Sequence, residues 1–288
     1  MNDLNKNKPT PDPKVPNWAE IDLPNTQVDQ YHLLNPFHLI KLLKLIFQKK
    51  RTKLHLADDL MGLADIPNYA RQEFHNLPGG NYSNTLATGY IRGFEIAMLG
   101  KMKHSRAFAL EKLKMCSSVL DIGCGGGAMT NKLLENNIND IWGIDISPYL
   151  LKQAALRNPK AKFLQAKAEN LPFNAERFDG ISVCYVLHEI PPKYIDLILD
   201  EIYRVLKPGG LCIFIEPSPI HYYGTYWSLL KTYGFKGAYF RFLSHFVYEP
   251  FAKSWHELNF EKLLFGKSFH LIEHIKNVPN NIWVVKKN

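Results

Sequence analysis

The stretch VLDIGCGGGAMT, residues 119–130, decides how the chain is read. An apolar run that includes Val119, Leu120 and Ile122 leads into four glycines at 123, 125, 126 and 127. Ala128 to Glu135 follows, with Met129, Leu133 and Leu134 at helical spacing. The pattern predicts a buried strand over 118–122, a tight turn and a helix. Glycine permits positive φ and removes the Cβ that would hold a ligand away from the backbone. A strand that ends in such a turn and feeds a helix forms a nucleotide cradle.

Working outward, short apolar runs alternate with helical patterns. Strands are expected at IWGIDI (141–146), AKFLQA (161–166), FDGISVCY (178–185) and LCIFIE (211–216). Pro148 opens one helix, and another runs over about 193–206 to a Lys207-Pro208-Gly209-Gly210 stop. Such alternation implies a parallel sheet with helices on both faces. SFHLIEHIKN (268–277) and NIWVVKK (281–287) read as two more strands, and the short Val278-Pro279-Asn280 link requires them to be antiparallel.

Gly123-x-Gly125-x-x-Ala128 fits the dinucleotide fingerprint, so two classes of ligand compete. A dinucleotide brings a pyrophosphate, which Asp121, two residues before the first glycine, would repel. S-adenosylmethionine brings a sulfonium and an ammonium, which the same carboxylate favours. Asp145, at the end of the second strand, can accept hydrogen bonds from both ribose hydroxyls of either nucleoside. Ile146 would pack on the adenine.

VLDIGCGGG resembles the first motif of class I S-adenosylmethionine-dependent methyltransferases. AKAENLPFNAERFDGISVCYVLHEI, followed by LDEIYRVLKPGG, resembles the group that includes the ubiquinone and menaquinone C-methyltransferases. The resemblance covers residues 115–216, about a third of the chain. It implies an α/β, Rossmann-like, seven-stranded and mostly parallel sheet with a terminal antiparallel hairpin. It also implies S-adenosyl-L-methionine as cofactor, held by Gly123, Cys124, Gly125 and Gly127 with Asp121 and Asp145. Ala168 would offer its backbone N–H to the adenine, and Cys184 and Tyr185 would end the fourth strand beside the sulfonium methyl.

Two departures matter. The acidic residue that usually precedes Ala168 is Lys167, which cannot accept a hydrogen bond from the adenine amino group, and Glu169 is the expected substitute. The quinone enzymes show Arg-Asn after the fourth strand, where this chain has His188-Glu189. A weakly acidic acceptor needs a base, and His188 is the first candidate, with Tyr185, Glu189 and His221 behind it.

The remaining composition sets bounds. The chain has 288 residues, 35 basic and 27 acidic, for a net charge of +8. That favours an acidic partner or surface. The four cysteines show no C-x-x-C spacing, so no metal site is expected, and reduced thiols point to the cytoplasm. Residues 1–29 are polar and Pro-rich and are expected to be a flexible leader. Residues 30–115 are expected to be a helical extension or cap, and 116–288 the cofactor-binding domain. Within the extension, 33–53 reads as a basic amphipathic helix suited to an anionic membrane, or packed on the core, and 77–95 as a loop and helix able to close over a substrate. The insertion at 217–253 is crowded with aromatics and reads as a lid, an interfacial patch or ordinary packing.

The expected function is methylation of a small or lipid-like, aromatic-type acceptor, peripheral membrane contact being compatible with it. The alternatives are a non-catalytic S-adenosylmethionine-binding protein, a nucleic-acid methyltransferase and a dinucleotide oxidoreductase. Nucleic acid is disfavoured because CYVL, not a D-P-P-Y-type motif, ends the fourth strand. The later Pro191-Pro192-Lys193-Tyr194 more readily opens a helix.

Overall fold

The computed structural model describes residues 11–31, 35–48, 51, 53–136 and 138–288. Ten residues of the expected leader, the first two of the 33–53 stretch, and Lys49 and Lys50 of its basic run lie outside the described residues.

Ahead of the sheet come α1 (Pro36–Phe47), α2 (Asn84–Ala97) and α3 (Lys101–Leu113), with short 3-10 turns between α1 and α2. Then β1 (Ser118–Ile122), α4 (Ala128–Leu134), β2 (Asp140–Asp145), α5 (Pro148–Arg157), β3 (Lys162–Gln165) and β4 (Phe178–Cys184) alternate. They are followed by α6 (Ile195–Val205), β5 (Leu206–Pro217), α7 (Pro219–Tyr223), α8 (Tyr226–Phe246), α9 (Ala252–His256), α10 (Phe260–Gly266), β6 (Phe269–Lys276) and β7 (Asn280–Lys287).

The seven strands are ordered β3-β2-β1-β4-β5-β7-β6. β7 runs antiparallel to both β5 and β6, and the other pairs are parallel. The chain leaves β1 in one direction for β2 and β3, and returns to the other side for β4. Ligands of open α/β sheets bind at the strand C-termini where that order reverses.

Side chains alternate across the sheet and feed two cores. Leu120, Ile122, Trp142 and Phe214 face one core, with Ile195, Ile198, Leu199, Ile202 and Val205 of α6 packed on them. Their spacing is one helical stripe. Val119, Ile141, Ile213 and Ile215 face the other, against Met102, Leu113, Met129 and Leu133. Each such fully buried side chain contributes about 1.5–3 kcal/mol.

Two expectations need correction. The leader is not loose over its described part. Trp18 is buried and donates its indole N–H to the Phe163 carbonyl at 2.9 Å, while Tyr149 donates to the Pro24 carbonyl at 2.7 Å. A single large apolar side chain with a buried hydrogen-bond partner outweighs the polar, Pro-rich composition around it. The Lys207-Gly210 stop is also absorbed into β5, which starts at Leu206 opposite Phe178 and shifts register before Gly180 meets Leu211.

Candidate functional site

The turn after β1 places Gly123, Gly125 and Gly127 at φ of +64°, +53° and +82°. L side chains avoid this region. At Gly123 an added Cβ would also lie 2.3 Å from a Val186 methyl. Gly125 is different: its nearest neighbour would be the Tyr90 ring at 3.6 Å, on the cavity side. The turn is held by two bonds to β2, from the Cys124 N–H to the Ile144 carbonyl at 2.9 Å and from the Gly125 N–H to Asp145 at 2.9 Å. The second Asp145 oxygen accepts the Ser147 N–H at 2.9 Å. Burial pushes the Asp145 carboxyl up to about 6, against these two amides. Each oxygen keeps a lone pair for a ribose hydroxyl.

Above the ends of β1, β2 and β4 lies a cavity with carboxylates set in a largely apolar wall. Asp121, Gly123, Cys124, Gly125, Asp145, Ile146, Ala168, Glu169, Cys184 and Tyr185 all line it. Of the residues expected to hold the cofactor, Gly127 alone stands apart, packed against Asn158, whose amide donates to its carbonyl. Glu169 accepts from the Tyr69 hydroxyl at 2.5 Å through one oxygen, and its other oxygen is buried with no partner. That orphaned acceptor beside Ala168 fits an adenine amino group, the role Lys167 cannot fill.

Asp121 is buried and accepts from the hydroxyls of Ser182 at 2.7 Å and Thr130 at 2.8 Å. Burial raises its carboxyl to about 6 despite those bonds. Two further charges reach this end of the cavity from the extension. Arg106 of α3 pairs with Glu95 of α2, and the second Glu95 oxygen is buried and unpartnered. The three groups present complementary charge to an ammonium and a carboxylate, the two ends of a bound amino acid. The sequence carried one usable signal for Arg106. It interrupts the buried α3 stripe of Met102, Ala109, Leu110 and Leu113.

A second cavity of about 460 Å³ adjoins the first and is mostly apolar. Tyr90, Phe94 and Tyr185 line both. Tyr90 and Phe94 stack at 6.0 Å, and Phe94 meets Tyr185 edge-on at 5.5 Å. Leu42 of α1, Leu86 and Met98 near α2, and Phe240, Leu243 and Val247 around α8 close the apolar cavity. The 77–95 segment and the aromatic insertion thus both contribute walls. The Tyr185 hydroxyl donates to Asn280 at 2.5 Å, and burial pushes its pKa well up, so it is a neutral wall residue.

His188 is fully buried and lines neither cavity. Its Nδ1 lies 2.7 Å from Glu216 Oε2, while Glu216 Oε1 accepts the N–H groups of Val186 and Leu187. Its Nε2 points toward Glu249, at 3.7 Å. Burial opposes charge on this ring, but Glu216 and Glu249 outweigh it and raise the pKa well above the usual histidine value. His75 lies beside the same Glu249 at 3.6 Å, and 3.0 Å from Glu189. His75, Glu249 and His221 line the apolar cavity. Burial lowers the His221 pKa to about 4, and its Nδ1 has no partner.

The family described as "Methyltransferase domain" matches residues 120–214, from β1 to β5. An uncharacterized methyltransferase of Synechocystis sp. is 38% identical over 98 residues, which are 34% of this chain and 46% of that protein. The demethylmenaquinone methyltransferase of Lactiplantibacillus plantarum is 31% identical over 159 residues, 52% of this chain and 65% of that one. The chain therefore spans less than two thirds of the length of these curated relatives. Among solved structures, an S-adenosylmethionine-dependent methyltransferase from Methanosarcina mazei is similar with a TM-score of 0.45 and 21% identity, covering 59% of this chain and 92% of that one.

Proposed function

We propose that the chain, whose residues 120–214 match the methyltransferase-domain family, is a class I methyltransferase that methylates a lipid-like, quinone-type small molecule with S-adenosylmethionine. The observation that carries the proposal is the shared aromatic wall of Tyr90, Phe94 and Tyr185 between the cleft at the glycine turn, which holds Asp121, Asp145 and Glu169, and an apolar cavity. Two reactants with opposite solvation needs would meet there at the end of β4.

Asp145 holds the ribose, Glu169 and Ala168 the adenine, and Asp121, Glu95 and Arg106 the amino-acid end. Bound there, the cofactor supplies a methyl carbon already activated on a sulfonium. The residues of the chain then contribute orientation and exclusion of water. The aromatic wall keeps water from the junction. An acceptor methylated on carbon or oxygen gives up one proton. His221 lines the apolar cavity, burial holds its pKa down at about 4, and its unpartnered Nδ1 is the candidate proton acceptor. His188, the first candidate from the sequence, is buried behind the cavity wall and held by Glu216, out of reach of an acceptor in the cavity.

A quinone-type acceptor also suits the cavity mouth. α1 exposes Phe37 at 74% and Phe47 at 65%, with Ile40 and Leu43 beside Lys41 and Lys44. Leu42 of the same helix reaches into the cavity. No helix among the described residues is long and apolar enough to cross a membrane. Peripheral contact of α1 with an anionic cytoplasmic membrane surface would deliver an apolar acceptor directly to the cavity.

The test is incubation with methyl-labelled S-adenosylmethionine and a short-chain demethylated naphthoquinol. Label in the organic phase, reduced at least about tenfold in the His221→Ala protein, is the expected result. Tight cofactor binding with no label in this or any other lipophilic phenol or quinol would refute the acceptor class.

A further inference from the structure

We propose that His75, His188 and Glu249 bind one divalent transition-metal ion of the zinc type, with its open coordination position facing the apolar cavity. Their donor atoms, two imidazole nitrogens and a carboxylate oxygen, all lie within 4.8 Å of one another. Glu249 Oε1 stands 3.6 Å from His75 Nε2 and 3.7 Å from His188 Nε2, beyond hydrogen-bonding distance, while Glu189 Oε1, 3.0 Å from His75 Nε2, would give up that nitrogen to the ion. Ligands at about 2.0–2.1 Å on a tetrahedral zinc lie about 3.3 Å apart, so the two Glu249 distances need shorten only slightly, and the two imidazole nitrogens, within 4.8 Å of each other, close on the ion by side-chain rotation.

A second observation points to a ligand at this place. His188 is fully buried, yet its Nε2 has no hydrogen-bond partner. Its other nitrogen is committed to Glu216, which is fixed in turn by the amides of Val186 and Leu187. A carboxylate on the far nitrogen of a histidine sets the tautomer and aims the near lone pair, the usual support of a metal-bound imidazole.

The third donor is brought in at a conformational cost. His75 and Asn76 both adopt left-handed backbone, at φ of 57° and 61°, which non-glycine residues rarely take. Three bonds staple this turn to the segment before Glu249. The His75 N–H donates to the Tyr248 carbonyl at 3.0 Å, the Asn76 amide to the Phe246 carbonyl at 2.8 Å, and the Tyr248 N–H to the Asn76 side chain at 3.1 Å. Strain held this firmly marks a place where a side chain must be aimed. Two nitrogens and one carboxylate suit zinc, iron or cobalt rather than magnesium or calcium.

His75 and Glu249 line the cavity, so a bound ion would offer its free position to an oxygen of whatever occupies it. If the acceptor is the quinol-type molecule proposed above, the ion lowers the pKa of the acceptor hydroxyl and fixes its orientation. That role rests on the proposed function, whereas the binding site does not.

The test uses the full-length protein, freed of metal by chelator dialysis and titrated with Co(II) and Zn(II). The visible absorption of Co(II) reports imidazole ligation, and calorimetry gives the stoichiometry. One equivalent should bind, weakened by about 10- to 100-fold in His75→Ala and in Glu249→Gln and unchanged in His274→Ala, a histidine outside the set. Circular dichroism and S-adenosylmethionine titration of each variant separate loss of the metal site from loss of the fold or of the cofactor site. The absence of one-equivalent binding, or binding that survives in correctly folded His75→Ala and Glu249→Gln proteins, would overturn the proposal.

Discussion

The Tyr69 hydroxyl donates to Glu169 at 2.5 Å, and leaves the other oxygen of this cavity-lining residue buried and unpartnered. The pair joins the extension to the loop after β3 and places an acceptor beside Ala168. Replacing Glu169 by leucine should weaken S-adenosylmethionine binding by about 5- to 100-fold, the range for one lost buried hydrogen bond. Tyr69→Phe should cost less, because the acceptor remains. Calorimetric dissociation constants for the two variants check this. Unchanged affinity in Glu169→Leu would show that the adenine is held elsewhere.

Two buried carboxylates set a pH dependence. Burial raises Asp121 and Asp145 from 3.8 to about 6. Below about pH 4 both are protonated whether the chain is folded or not, and their burial costs nothing. As pH rises through 6 they must ionise in the fold, and the unliganded protein loses stability on the order of a few kcal/mol. Asp29 and Asp140, lowered to about 2, act only in more acid solution. A bound sulfonium and ammonium favour ionised Asp121, so cofactor affinity should rise over the same interval. Melting temperatures at pH 5 and pH 8, with and without S-adenosylmethionine, should show the larger ligand-induced gain at pH 8. Equal gains would contradict this assignment.

Trp18 anchors the segment ahead of α1 by its buried ring and its bond to the Phe163 carbonyl. Trp18→Ala should cost about 3–5 kcal/mol. Trp18→Phe, which keeps most of the packing and loses the hydrogen bond, should cost about 1 kcal/mol. Urea unfolding monitored by circular dichroism measures both. A loss below about 1 kcal/mol for the alanine variant would mean that the segment is not part of the cooperative fold.

The exposed face of α1 predicts binding to vesicles that contain anionic lipid. Cosedimentation should fall by about tenfold or more when Phe37 and Phe47 are both replaced by serine, since each ring contributes about 1.5–3 kcal/mol when buried. It should also weaken with added salt, because Lys41 and Lys44 supply part of the attraction. Absence of cosedimentation for the unmodified protein would refute membrane contact through this helix.

The sheet was legible because its signals are local. β1 and β2 are short apolar runs closed by glycine or a carboxylate, β3 and β4 are short apolar runs set between helical or loop patterns, and each was expected to within a residue or so of its bounds. That Asp121, Gly123, Gly125 and Asp145 lie together on one cavity was legible for the same reason, since they sit at or just after the strand ends. Arg106, Glu95, Tyr69, His75 and Glu249 were not. They come from the extension and the insertion, and only the tertiary fold brings them together. His75 is the clearest case, because its left-handed conformation is imposed by bonds to residues 246–248 and leaves no trace in the sequence around it. His188 was legible as a residue of interest and misread in its contact, because burial behind the cavity wall depends on Glu216 at the end of β5.

The most direct test of the central claim is calorimetric titration of the purified protein with S-adenosylmethionine, S-adenosylhomocysteine and NAD(P), repeated with Asp145→Ala. Asp145 joins the glycine turn to the end of β2, and under the proposed function its remaining lone pairs receive the ribose hydroxyls. Micromolar binding of the first two ligands, abolished in the variant and absent for NAD(P), is the predicted result. Binding of NAD(P) without S-adenosylmethionine would contradict the account.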